Sequence, residues 1–99
     1  MFQDEKLVYT DLITKTKLFT FRYGNDYWKI TSDGKMKFTR DNCGPDVKFI
    51  VDNEGSYKSY KVERGNNRGF QKVESDNCYK IDNFDAIKER AEYVFANYN

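Results

Sequence analysis

The sequence predicts an α+β fold, in which an antiparallel sheet of six or seven short strands carries one C-terminal amphipathic helix on one face. Two patterns carry this prediction. Residues 6–81 consist of short runs in which apolar and polar side chains alternate, separated by turn-forming residues, as in half-buried strands. Residues 82–98 place apolar side chains at steps of three and four, as in a helix with one buried stripe. We expect a single domain over residues 1–99, because a chain of this length builds one core.

The first two strands are predicted from their apolar and β-branched content. Residues 7–13 form one strand whose inward face the sequence leaves undefined. Residues 18–23 alternate cleanly, with the three aromatic side chains on one side. The connection 14–17 contains neither Gly nor Pro, so it is compatible with a hairpin loop or with the continuation of one long strand.

Residues 27–39 give the clearest β-hairpin pattern. A three-residue loop that ends in a left-handed Gly34 places the apolar residues of both strands on one face. These pairs are Ile30 opposite Met36 and Trp28 opposite Phe38. The opposite face then displays four side chains without an acidic residue among them, namely Tyr27, Lys29, Lys35 and Lys37.

A second hairpin is predicted from strands 47–51 and 57–62, and its loop length decides which side chains share a face. A three-residue loop puts the inward side chains of the first strand on the face of Tyr57. A four-residue loop puts them with Tyr60 and Val62. The four-residue loop is preferred because it gathers more apolar area on one face.

The remaining segments connect these hairpins to the helix. Turn-forming residues at 41–46 include the single proline and separate the two hairpins. Residues 64–69 are predicted to form a loop, followed by two short strands at 70–74 and 78–81.

The final helix is predicted to run from residue 82 to residue 98. Asp82 occupies the N-cap position, and Asp85 lies three residues later, in the place of a capping-box acid. Since the last turn contains no basic residue, we expect it to fray. A helix of about 16 residues spans roughly 24 Å and covers one face of the sheet, which leaves the second face to water or a partner. The buried stripe comprises Phe84, Ile87, Ala91, Val94, Phe95 and Tyr98.

Charge is unevenly distributed along the chain, although the formal net charge is +1. Residues 15–40 contain seven basic and two acidic residues, and residues 57–72 contain five basic residues and one acidic residue. If these segments are neighbouring hairpins, one face of the sheet forms a positive patch that also carries tyrosines. Basic and aromatic residues together suit phosphate contacts and base stacking, whereas the plainer interpretation is a solvated strand face.

Enzymatic and metal-binding functions are disfavoured by the residue inventory. The chain has no histidine, so a Ser-His or Cys-His nucleophile pair and an imidazole base are excluded. Cys43 and Cys78 lack metal-ligand spacing and are expected to be reduced thiols. We therefore expect no enzyme activity, no cofactor and no metal site.

Membrane and secretory signals are also missing from the sequence. No apolar run approaches the roughly 18 residues of a membrane span, and residues 1–5 lack the basic-then-apolar order of a signal peptide. We expect a cytoplasmic protein without membrane association. Abundant Phe, Tyr, Ile, Asn and Lys with one Pro are typical of AT-rich coding sequences, which favours a phage or a low-GC bacterium as the source.

Two functional interpretations remain. The first is a small non-enzymatic protein-binding module, such as a phage-type inhibitor or adaptor that docks on a larger, partly acidic host protein. The second is a nucleic-acid-binding domain that uses Tyr27, Lys29, Lys35 and Lys37. The protein partner ranks first because nucleic-acid-binding domains commonly have a pI above about 9, whereas this chain has a pI near 7.7. Its candidate contact residues, chosen because Arg and Tyr are enriched at interface hot spots, are Arg64, Asn66, Asn67, Arg68, Tyr57 and Tyr27.

Overall fold

The predicted α+β class is confirmed by the structure. The computed structural model of the protein describes residues 2–44, 46–65, 69–74 and 79–98, and for 62–65 and 69–74 it describes the main chain. The elements in chain order are β1 (Phe2–Asp11), β2 (Thr16–Tyr23), β3 (Asp26–Thr31), β4 (Met36–Arg40), a 3-10 turn (Asp41–Cys43), β5 (Val47–Val51), β6 (Ser56–Gly65), β7 (Gly69–Glu74), β8 (Tyr79–Lys80) and α1 (Phe84–Asn97).

The strands form one antiparallel sheet. β1 to β7 lie side by side in chain order, so tight turns are enough to connect β1 through β6. β8 does not extend this series, because it pairs with Ser56 and Tyr57 at the start of β6. β7 pairs farther along the same strand, from Tyr60 to Gly65. In this meander the tips of the β1–β2, β3–β4 and β5–β6 hairpins lie at the same end of the sheet.

The core lies between α1 and one face of the sheet. Aromatic rings on β2 to β5 stack in one row across that face, with successive centroids 6.1, 4.8 and 4.8 Å apart. The rings in this row are Phe21, Trp28, Phe38 and Phe49. The helix contributes Ile87, Ala91 and Val94, and all three are buried. Burial of large aromatic side chains is the main stabilising contribution in a domain of this size.

The predicted β3–β4 hairpin is confirmed in register and in loop. Ile30 pairs with Met36, and Trp28 pairs with Phe38. Gly34 adopts a φ of 96°, in the left-handed region that the three-residue loop requires.

The preferred four-residue loop of the second hairpin is wrong. Val51 pairs with Tyr57, so the three-residue alternative is the one adopted. Tyr60 instead pairs with Lys48 on the opposite face of the sheet. The Tyr57 ring lies against the core, with its centroid 5.3 Å from that of Phe38. Apolar area on strand positions was a poor guide because it ignored the chemistry of the turn.

That turn is organised by one carboxylate and one glycine. The Asp52 Oδ1 atom accepts hydrogen bonds from the backbone N–H groups of Glu54 at 2.8 Å and Ser56 at 3.0 Å. These bonds lower the pKa of Asp52, with Glu54 as the larger cause. Gly55 follows with a φ of 86°. This combination of a side-chain-capped turn and a left-handed glycine matches three loop residues rather than four.

β1 is longer than predicted at its N-terminal end and stops before the predicted end. It runs from Phe2 to Asp11, and residues 12–15 form a turn, so the segment is a hairpin rather than one long strand. Arg90 of α1 donates two hydrogen bonds, of 2.8 and 2.7 Å, to the Glu5 carboxylate. This hydrogen bonding lowers the pKa of Glu5 and joins the edge strand to the helix.

The helix begins two residues later than predicted, and the predicted capping box is wrong. Asn83 lies at the N-cap in the left-handed region with a φ of 61°, and no side-chain hydrogen bond caps the helix. Asp82 therefore lies outside the helix, and Asp85 is left as an acid in the first turn. Along the predicted stripe, Phe84 and Phe95 are partly buried against the core, while Tyr98 follows the helix and is 50% exposed.

A cation does lie at the helix C-terminus, but it comes from β2. The Lys17 Nζ atom donates hydrogen bonds to the carbonyl oxygens of Phe95 at 3.0 Å and Tyr98 at 3.1 Å. A positive charge at this end complements the helix dipole and unpaired carbonyl groups. Lys17 lies 78 positions before Phe95 in the chain, so no local pattern at the helix end indicates this cation.

Replacing Lys17 with methionine should lower the free energy of unfolding by about 1 kcal/mol, because the last carbonyl groups of α1 would lose their cation. Urea denaturation measures this change. Lys15→Met, an exposed lysine in the neighbouring turn, serves as the control and should leave the midpoint unchanged. Equal midpoints for the two variants would contradict a capping role for Lys17.

Candidate functional site

The candidate site is the face of the sheet that α1 does not cover, termed here the open face. Core residues on β2 to β6 point toward α1, so the positions that alternate with them point away from it. β1 adds Lys6 and Val8, which pair with Thr20 and Leu18. The open-face positions of β2 to β6 include Leu18, Thr20, Arg22, Tyr27, Lys29, Thr31, Lys37, Thr39, Lys48, Ile50, Lys58 and Tyr60.

Lysines form a row across this face, perpendicular to the strands. The pairing continues from strand to strand through Lys6, Thr20, Lys29, Lys37, Ile50 and Lys58. Six strands about 4.8 Å apart give this lysine row a length of about 24 Å. No acidic residue occupies an open-face position on β2 to β6 within the described side chains of those strands. The face is therefore positive although the chain as a whole is nearly neutral.

The centre of the lysine row brings two like charges together. Lys29 lies directly opposite Lys37 on the neighbouring strand. Like charges at directly opposed positions destabilise a sheet. The Lys29 Nζ atom lies 5.9 Å from the centroid of the Tyr27 ring, and no ion pair within the described part of the chain involves Lys29 or Lys37. The fold gains nothing evident from this pair of lysines.

Other cations near the sheet are used within the fold. Arg22 pairs with Asp41 at 2.8 Å, and Arg40 pairs with Asp26 at the same distance. The Arg40 guanidinium also lies 5.1 Å from the ring centroid of Phe38. These arginines have carboxylate partners within the fold, which distinguishes them from the central lysines.

A depression of about 650 Å³, termed here the basin, lies in the open face beside the lysine row. Apolar side chains line it together with ammonium groups. Ile50 is 47% exposed there, and Leu18 is half-buried. The charged residues at the basin are Lys29, Lys35 and Lys37. The basin therefore offers both an apolar contact and positive charge to one ligand.

The β1–β2 turn displays a second exposed apolar feature. Leu12 is 85% exposed and Ile13 is 93% exposed. The Asp11 Oδ1 atom accepts hydrogen bonds from the backbone N–H groups of Ile13 and Thr14, which holds the turn in shape. These bonds, with Thr14 as the larger cause, lower the pKa of Asp11.

The structure brings together one of the two predicted residue sets. Lys29, Lys35 and Lys37 line the basin, and Tyr27 lies on the same face, where Lys29 approaches its ring. Tyr57 is on the other face of the sheet, half-buried, so it does not lie beside Tyr27.

The predicted contact residues at 64–68 are described in part. Arg64 lies in β6 with its main chain paired to Phe70, and its side chain is outside the described part. Asn66, Asn67 and Arg68 lie outside the described residues.

Sequence reasoning missed the apolar members of the face. Leu18 and Ile50 come from strands far apart in the chain. The edge-strand residue Lys6, which belongs to the lysine row, was missed for the same reason. Alternation within each strand shows which face of the sheet these side chains occupy. Only the strand order and register show that they lie next to one another.

The described residues contain neither a cluster of metal-ligating side chains nor a membrane-spanning helix. No group of three or more Cys, Asp or Glu in that part of the chain could hold a metal ion. No helix among the same residues is long and apolar enough to cross a membrane.

No protein-family model matches the chain, and neither a curated protein nor a solved structure is significantly similar to it.

Proposed function

We propose that the protein is a non-enzymatic binding module that docks a larger, acidic protein partner on the open face of its sheet. The observation that carries the proposal is the opposed pair of Lys29 and Lys37, on a face where the described side chains of β2 to β6 include no acid. An acidic partner surface would relieve the repulsion between Lys29 and Lys37 and would be complementary in charge to the open face. Positive charge along about 24 Å of the sheet would also accelerate association with such a partner.

A protein partner is favoured over nucleic acid by the other side chains of the face. Binding of single strands depends on exposed aromatic rings on which bases stack. Tyr27 is half-buried, and the amine of Lys29 lies near its ring. Ile50 and Leu18 provide aliphatic rather than aromatic contact surface. A pI near 7.7 is also low for a nucleic-acid-binding domain.

Nucleic acid is the second candidate, supported by the placement of Tyr27, Lys29 and Lys37 on one face. Its binding would weaken steeply with salt, because phosphate contacts release counterions.

The small size and composition of the chain suit an inhibitor or adaptor of the phage type that acts in the cytoplasm on a host protein. Such a role requires only a stable scaffold and one complementary face, without catalytic groups. The absence of histidine from the sequence is consistent with this assignment.

The test is capture of the partner by tagged protein from a lysate of the organism that encodes it, with and without nuclease. A variant carrying Lys29→Thr and Lys37→Thr should capture at least about tenfold less partner protein, a loss of about 1.4 kcal/mol. The same variant should be more stable than the wild type by about 0.2–1 kcal/mol, because the opposed like charges are gone and threonine suits strands. The control, Lys15→Asn with Lys88→Gln, removes two exposed lysines away from the open face and should retain full capture; Asn tolerates the left-handed φ of 58° at position 15.

Two outcomes would overturn the proposal. Capture that disappears with nuclease would assign the face to nucleic acid. Undiminished capture by the Lys29 and Lys37 variant would move the interface elsewhere, to the turn displaying Leu12 and Ile13 or to residues 64–68. Combined Arg64→Ala and Arg68→Ala would then test the last of these locations.

A further inference from the structure

We infer that the basin is the specificity-determining part of the open face and binds a partner segment in which an aliphatic side chain is flanked by carboxylates. This inference rests on the proposed function and deepens it, because it names the chemistry of the docked segment. It is carried by the placement of Ile50 and Leu18 among three lysine side chains in one depression of about 650 Å³.

The geometry of the basin sets the spacing of the groups that it would recognise. Lys37 lies directly opposite Ile50, so a charged and an apolar contact occur on neighbouring strands about 4.8 Å apart. Leu18 lies opposite Thr31, two residues along β3 from Lys29, which separates these contacts by about 7 Å. Side chains at positions i and i+2 of an extended chain have the same separation. An extended segment alternating acidic and aliphatic residues on one side therefore matches the basin.

The charged residues around the basin favour a negatively charged ligand. Lys29, Lys35 and Lys37 all line it. Three acids are adjacent in sequence to basin-lining residues, namely Asp11, Asp33 and Asp52. The Asp33 carboxylate accepts a hydrogen bond from the Thr31 hydroxyl and lies close enough to Lys35 to interact with its charge. Among the described residues, three lysines and no acidic residue line the basin itself, so its lining is positive and a bound segment must bring carboxylates of its own.

The apolar surface excludes the other anionic ligands that the lysines alone would accept. Ile50 and Leu18 offer no aromatic ring on which a base could stack. The basin is an open depression on a sheet face, which provides too little enclosure for an acyl chain that needs burial on all sides. A peptide segment satisfies both conditions, since its carboxylates meet lysines at the rim while one aliphatic side chain covers Ile50.

Fluorescence anisotropy with labelled peptides tests this inference directly. The probe is a peptide of about 12 residues in which every second position is occupied alternately by Glu and Leu, with Thr between them, so that both residue types lie on one side of the extended chain. It is compared with two peptides carrying Gln for every Glu or Ser for every Leu. We expect saturable binding of the probe, with a Kd at least about tenfold lower than that of either comparison peptide. A single-stranded oligonucleotide of similar charge should bind more weakly than the probe.

Two variants and two matched controls locate the binding. Ile50→Ser removes the apolar contact, and combined Lys29→Gln, Lys35→Gln and Lys37→Gln removes the charge. Each should weaken probe binding at least about tenfold. Ile13→Ser, at an exposed isoleucine of the β1–β2 turn, and combined Lys15→Gln, Lys80→Gln and Lys88→Gln should leave it unchanged. Circular dichroism melting of each variant separates lost binding from lost folding.

Several results would overturn the inference. Equal binding of the peptide with Ser for Leu would reduce the basin to a general anion contact. Tighter binding of the oligonucleotide would assign the lysines to phosphate, and equal losses in the control variants would remove the basin from the contact. If the probe fails to bind while partner capture still depends on Lys29 and Lys37, the proposed function stands and the basin inference falls. If capture does not depend on these lysines either, both fall.

Discussion

Replacing Ile87 with alanine should lower the free energy of unfolding by about 2–5 kcal/mol. Ile87 is 1% exposed and lies in the core between α1 and the sheet. Removing its side chain leaves a cavity that the surrounding aromatic rings can fill only partly, since they are fixed by their own packing. Small domains are only marginally stable, so this single change could leave a large fraction of the protein unfolded. Urea denaturation at equilibrium measures the loss.

Ile50→Ala is the matched control, because it removes the same atoms from the open face. Ile50 is 47% exposed, and its loss should cost less than about 1 kcal/mol. The two substitutions should therefore separate the functions of the two faces, with Ile87 governing stability and Ile50 governing binding. A cost below about 1 kcal/mol for Ile87→Ala would mean that α1 does not pack on the sheet as described, and that its apolar stripe is available to a partner.

Gly55→Ala should be almost as damaging, for two independent reasons. Gly55 has a φ of 86°, and a side chain in the left-handed region costs about 1–2 kcal/mol. An added Cβ atom would also lie 2.8 Å from both Cγ and Cδ2 of the Phe84 ring, closer than van der Waals contact allows. Moving a partly buried ring costs about another 1–3 kcal/mol. The expected total is about 2–5 kcal/mol, measured by denaturation.

Gly34→Ala isolates the first of these costs. Gly34 has a φ of 96°, and an added Cβ atom would meet nothing within 4 Å. This variant should lose only the backbone term of about 1–2 kcal/mol. A double-mutant cycle with Phe84→Ala should then show a coupling to Gly55→Ala that is absent with Gly34→Ala. Equal losses for the two glycine variants would mean that the Phe84 ring moves aside at no cost.

The predictable parts of the fold are those whose information is local. In the β3–β4 hairpin, alternation and Gly34 together specify both the loop and the pairing of Trp28 with Phe38. The spacing of Ile87, Ala91 and Val94 likewise specifies which side of α1 is buried. Both patterns span only a few residues, so they can be recognised without knowledge of the rest of the chain.

The errors occurred where a local pattern allowed two answers. Apolar area predicts a four-residue β5–β6 loop, because Tyr60 and Val62 offer more of it than Tyr57. The structure keeps Tyr57 against the core because Asp52 organises a turn that ends in Gly55. Gly55 occupies the same position in its loop as Gly34, and this turn chemistry outweighs the apolar area of the strand positions.

The candidate site was predictable only in part. Its basic and aromatic residues on β3 and β4 were identified from one hairpin, since Tyr27, Lys29 and Lys37 share a face by alternation. Its apolar residues were not, because Leu18 and Ile50 reach the basin from two other strands.

By itself, the sequence determined the α+β class, the β3–β4 hairpin, the buried stripe of α1 and the positive character of the outward positions on β3 and β4. The tertiary structure alone decided the alignment of Lys6, Lys29, Lys37 and Lys58 into one row, and the capping of α1 by Lys17. The physical reason is the distance along the chain over which each interaction acts. Alternation and turn chemistry act between residues a few positions apart, whereas Lys17 and the Phe95 carbonyl are separated by 78 positions and meet only once the helix has packed on the sheet.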